Sequence, residues 1–110
     1  MAQLPKPFLS FRKQHPEVAA AHEALGAASA EAGPLDPKTR ELVRLGISIG
    51  GRLEGAVHSH ARRALEAGAS PAEIRHVVVL AAPTAGFPTT VAAWTWVEEV
   101  LARAKPKRRR

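Results

Sequence analysis

No cysteine occurs among the 110 residues, and that absence removes disulfides, thiolate metal ligands and peroxidatic or disulfide-exchange chemistry from the chain. Long apolar runs are missing as well. No stretch approaches the roughly eighteen residues of a membrane span, and Met1-Ala-Gln-Leu-Pro-Lys-Pro7 lacks the apolar centre of a signal peptide, so a cytoplasmic location without a membrane partner is expected. Strands are nearly absent from the pattern. The β-prone run Val77 to Leu80 has no second strand-like run to pair with and follows a strong helix start, so the chain reads as all-α, without a repeat of solenoid period. Bulky apolar side chains are also sparse. The hydrophobic fraction is 45%, but much of it is alanine, which packs helices closely while burying little area. One thin core is expected at this length, and association into a homo-oligomer is the natural remedy.

Positive charge is plentiful but unevenly spread. Of the net +6, five charges belong to Lys105, Lys107, Arg108, Arg109 and Arg110, leaving the remainder almost neutral. Residues 105–110 read as a disordered basic tail, residues 1–14 as a loosely ordered N-terminal arm, and residues 15–104 as one helical domain. A near-neutral body gives no basic face, so nucleic acid is not the expected partner.

Proline and capping residues punctuate that domain into about five helices. His15-Pro16 opens an alanine-rich run that stops at Gly33-Pro34. Asp36 caps a second helix at Pro37, with Leu42, Leu45, Gly46 and Ile49 as its apolar stripe and Gly50-Gly51 at its end. A third spans about Leu53 to Ala67 and closes on Gly68, a natural left-handed cap. Ser70-Pro71-Ala72-Glu73 is a capping box launching a fourth, with Ile74, Val77, Val78 and Ala81 inward. Pro83 and Gly86 bend or end it, and Phe87-Pro88-Thr89 starts a fifth reaching Ala104, with Val91, Trp94, Val97 and Leu101 as its stripe, widened by Trp96 and Val100.

Among the histidines, His60 stands apart because helical phase puts it with Leu53, Ala56, Val57, Ala61 and Ala64, opposite Ser59, Arg62, Arg63 and Glu66. A ring on an apolar face needs hydrogen-bond partners. Glu41, sharing a face with Leu45 and Ser48 one helix upstream, is the candidate, and a carboxylate there would fix the tautomer of an acid/base imidazole. A hydrogen-bonded core histidine without chemistry fits the same pattern. His15, His22 and His76 carry no functional expectation. His58 and His60, two apart, point in opposed directions and cannot share an ion. Glu54 and His58, four apart, can meet, but two ligands make no metal site, so none is expected and a surface pair is.

Glu41-Leu-Val-Arg44, His60-Ala-Arg-Arg-Ala-Leu-Glu-Ala-Gly68, Pro71-Ala-Glu-Ile74, Ala85-Gly-Phe-Pro88 and Val97-Glu-Glu-Val-Leu101 together resemble the carboxymuconolactone decarboxylase family, which includes the alkylhydroperoxidase D proteins. The resemblance runs from about Pro34 to Ala104. It implies an alkylhydroperoxidase D-like helical bundle assembled as trimers or hexamers, with no cofactor. The peroxidase branch carries a Cys-x-x-Cys pair whose positions fall here on Leu53 and Ala56, with its proton-relay glutamate and histidine on Glu41 and His60; thiol peroxidase activity is therefore not expected. The decarboxylase branch is similar around Arg52 and His60, with a spacing one residue longer here. It implies a small carboxylate or lactone substrate, held by Arg52 or Arg44 and protonated by His60. The readings that follow are an acid/base enzyme with His60 and Glu41 at its centre, or a non-enzymatic oligomer that binds a ligand or serves as a scaffold on the same fold.

Overall fold

The computed structural model describes residues 4–104, so the basic tail at 105–110 lies outside the described residues. It contains seven helical segments and, among the described residues, no strand: α1 (Lys6–Gln14), α2 (Pro16–Glu31), α3 (Pro37–Gly50), α4 (Glu54–Glu66), α5 (Pro71–Leu80), α6 (Ala82–Ala85) and α7 (Phe87–Ala104). The all-α expectation holds, with two segments more than the sequence pattern suggested. One is α6, the single turn into which Pro83 and Gly86 resolve. The other is α1, which replaces the loosely ordered arm.

The chain divides into two compact units between Leu35 and Asp36. In the first, Pro5 caps α1 and Pro7 occupies its first turn, where a missing N–H costs nothing. The α1 and α2 helices pack on one another, with Phe11 stacked at a tilt against His15. Neither helix buries a residue fully, and Val18 and Leu25 of α2 stay exposed.

The second unit holds the core. Here α3 packs on α4, α4 on α7, and α5 on α3 and α7. Leu45 and Ile49 meet Val57, Ala61, Ala64, Ile74, Val78, Ala93 and Val97, all fully buried. Alanines bring the helices close, as the composition implied, and no aromatic ring is fully buried. The phase expected for α7 shifts: Thr89, Ala93, Val97, Val100 and Leu101 face inward, while Val91 and Trp94 are exposed. Leu53, expected on the inner face of α4, is an exposed N-cap.

Helix ends follow the capping signals. Asp36 accepts a hydrogen bond from the Thr39 amide, and Ser70 and Glu73 form the reciprocal capping box. The α4 helix ends in a Schellman motif: the Ala69 amide reaches the Ala64 carbonyl and the Gly68 amide that of Leu65, with Gly68 at φ +103°. The α3 helix ends the same way, the Leu53 amide bonding to Ser48 and that of Arg52 to Ile49. Its left-handed position falls one residue beyond the paired glycines, on Arg52 at φ +55°.

Candidate active site

Glu41 lies one turn before Leu45 on α3 and His60 one turn after Ala56 on α4, so the packing of these two helices carries both side chains to the seam. His60 Nδ1 stands 2.8 Å from Glu41 Oε1. A carboxylate oxygen only accepts, so Nδ1 bears the proton and donates, which leaves the lone pair of the neutral ring on Nε2. Arg44, one turn along α3, donates from Nη1 to Glu41 Oε2 at 2.9 Å. The two carboxylate oxygens are thus divided between an imidazole and a guanidinium, and rotation of Glu41 is blocked from both sides. The next turn of α3 is tied down as well, because the buried Ser48 hydroxyl donates to the Arg44 carbonyl at 2.8 Å.

The pair is shielded but not sealed. Glu41 keeps 12% of its side-chain exposure and His60 keeps 21%. No buried side-chain nitrogen or oxygen among the described residues lacks a hydrogen-bond partner. Among the described residues Nε2 of His60 has no hydrogen-bond partner, and it is not fully buried. A fixed, oriented ring with one nitrogen unpartnered can accept or deliver a proton.

Of the four residues singled out from the sequence, Glu41, His60 and Arg44 come together through direct bonds, whereas Arg52 does not join them. Its Nη1 donates to Thr89 Oγ1 of α7 at 2.8 Å. Sequence spacing gave no sign of Thr89 as a partner, since the two residues are 37 apart. The expected Glu54–His58 surface pair is also corrected: His58 Nε2 bonds instead to Glu99 Oε1 of α7 at 2.9 Å, because the ring of α4 leans across to the neighbouring helix. An apolar groove of about 360 Å³ lies between α3, α5 and α6, lined in part by Leu42, Val43, Gly46, Val77 and Leu80. Neither member of the Glu41–His60 pair lines it.

A sequence profile described as the Carboxymuconolactone decarboxylase family matches residues 16–99. The chain belongs to the carboxymuconolactone decarboxylase family. Among solved structures, the fold is similar to that of the apo crystal structure of a carboxymuconolactone decarboxylase family protein from Legionella pneumophila, with a TM-score of 0.77 and 24% identity over 90% of this chain and 88% of that one. The sequence is 44% identical over 59 residues to an uncharacterized protein of Haemophilus influenzae. That segment is 54% of this chain and spans about half of the relative, 52% of its length. This carboxymuconolactone decarboxylase family member has no cysteine, and Leu53 and Ala56, where the resemblance to the peroxidase branch implied a Cys-x-x-Cys pair, carry apolar side chains. The first is the exposed cap of α4 and the second sits one turn before His60.

Proposed function

We propose that this family member performs acid/base chemistry, a decarboxylation or proton transfer, on a small carboxylated or lactone metabolite, without thiol peroxidase activity. The observation that carries the reading is the Glu41–His60 arrangement: Nδ1 is held at 2.8 Å while Nε2 has no hydrogen-bond partner among the described residues and is not fully buried. In a decarboxylation, the bond between the substrate carbon and its carboxylate breaks, CO₂ leaves, and the electron pair stays on carbon. Protonated His60 delivers its Nε2 proton to that carbon, and Glu41 holds the ring in line throughout. Arg44 neighbours the imidazole through their shared carboxylate and supplies positive charge for an anionic substrate. Arg52 contributes by exchanging its Thr89 contact for the substrate carboxylate.

Assembly into a homo-oligomer belongs to the same proposal. Ile47 and Phe87 are 67% and 70% exposed, and apolar surface of this kind on a thin alanine-rich core is what further copies would cover.

His60→Ala is expected to abolish turnover, read as CO₂ release or solvent-deuterium incorporation with a panel of small carboxylated lactones, while the circular dichroism spectrum persists. Unchanged turnover rejects the assignment. A second reading is favoured by the position of the groove, which lies away from the histidine: a non-enzymatic oligomer that binds an apolar ligand there. On that reading the same substitution costs about 1–3 kcal/mol of stability for a broken, partly buried hydrogen bond, and no member of the panel is converted.

A further inference from the structure

We infer that Glu54, His58 and Glu99 form a binding site for a divalent first-row transition ion on the seam between α4 and α7, separate from the Glu41–His60 pair. Glu54 and His58 are four residues apart on α4, the spacing that stacks two side chains on one helix face. Glu99 reaches them from α7, and one ligand atom from each of the three lies within 4.8 Å of the others. His58 Nε2 and Glu99 Oε1 are already 2.9 Å apart. Bonds of about 2.0–2.2 Å to a tetrahedral ion put donors roughly 3.3–3.6 Å from one another. The exposed Glu54 side chain has to close the remaining gap, from at most 4.8 Å to that spacing.

The surroundings favour a cation. Glu99 is partnered by the imidazole, and Glu54 makes no side-chain hydrogen bond or ion pair among the described residues. Among the described residues, Lys38, Arg44 and Arg75 form ion pairs with Glu73, Glu41 and Glu98. Two carboxylates therefore converge on one imidazole, and among the described residues no lysine or arginine is paired to either. The backbone beneath them is rigid, because Val57 of α4 and Val100 of α7, each next to a ligand residue, are buried in the core. Two oxygens and one imidazole nitrogen suit zinc, cobalt, iron or manganese; magnesium and calcium prefer oxygen alone, and copper(I) prefers sulfur. Open positions on the ion would be filled by water. The third ligand is what the sequence alone could not supply, since it lies 41 residues beyond the histidine.

The test is Zn²⁺ titration of the full chain by calorimetry, with Mg²⁺ as competitor. One Zn²⁺ per chain is expected, undisturbed by Mg²⁺ in tenfold excess, and the affinity should fall at least about tenfold in each of Glu54→Gln, His58→Gln and Glu99→Gln. Glu54 and Glu99 are exposed and His58 is partly buried, and circular dichroism of each variant should match the parent. His60→Ala should leave the Zn²⁺ affinity unchanged, which separates this site from the proposed acid/base pair. Absence of binding to the parent chain, equal competition by Mg²⁺, or an unaltered affinity in any of the three ligand variants would overturn the site.

Discussion

Arg52 adopts a left-handed backbone that costs a non-glycine residue on the order of 1 kcal/mol, in the same cap position that Gly68 occupies one helix later. Gly50 and Gly51 lie immediately before it, and the left-handed turn falls on Arg52. Its hydrogen bond to Thr89 joins the α3–α4 connection to the start of α7. Glu41 shows a different kind of constraint, one atom for each partner. Replacing it with alanine removes the acceptor of the Nδ1 proton, and the neutral ring should then shift toward the Nε2–H tautomer. Long-range ¹H–¹⁵N correlation spectra of the neutral ring check this. The parent should show Nδ1–H as the main form, and a parent already dominated by Nε2–H would refute the orientation. The Glu41–His60 meeting was legible in the sequence because helical phase places both at the margin of apolar stripes on consecutive helices. The Arg52–Thr89 and His58–Glu99 bonds were not, because each depends on which face α7 turns toward its neighbours.

Helix starts were the most readable elements, since a cap and the proline after it are local chemistry. The Ser70–Glu73 box is the clearest case: the Ser70 hydroxyl accepts from the Glu73 amide at 3.0 Å, and the Glu73 carboxylate accepts from the Ser70 amide at 2.9 Å. Ser70→Ala should destabilise the protein by about 1 kcal/mol, measured by urea denaturation, and Ser70→Gly by only a few tenths. Equal losses would mean that the hydroxyl is not what holds this end. The phase of α7 was harder to read. Val91, Trp94, Trp96, Val97, Val100 and Leu101 leave more apolar surface than one helix face can hold, so periodicity alone does not choose among them. Packing chooses the smaller side chains: Ala93 and Val97 let α7 approach α4 closely, and Trp94 is turned out. The α1 helix was missed because Pro5-Lys6-Pro7 reads as an arm, although Pro7 fits a first helical turn.

Three carboxylates in the Asp36-to-Ala104 part tie its helices to their caps and to each other, and all three are held below their ordinary values. Glu73 is lowered by the Ser70 backbone hydrogen bond and then by Lys38, Glu98 by Arg75, and Asp36 by the bonds from Thr39. Arg75 grips Glu98 with two bonds of 2.7 and 3.0 Å, joining α5 to α7, while Lys38 reaches Glu73 at 3.1 Å, joining α3 to α5. Because folding depresses these values, the folded state binds fewer protons than the unfolded chain at mildly acid pH. Their stabilisation is complete above the unfolded values, ordinarily 4.5 for glutamate and 3.8 for aspartate, and is lost as the pH falls through the lower folded values. The thermal midpoint contributed by these groups should therefore be flat above about pH 5.5 and decline progressively below about pH 4.5. All three are surface groups screened by water and salt, so the decline should be shallow and smaller at high ionic strength. Melting curves between pH 6 and pH 3 provide the measurement, with Glu98→Gln as the control. Its curve should start lower than that of the parent and converge with it in acid, where the glutamate is protonated in both folded and unfolded chains. Parallel curves that never converge would show that the Arg75–Glu98 link contributes through packing of its side chains and not through its charge.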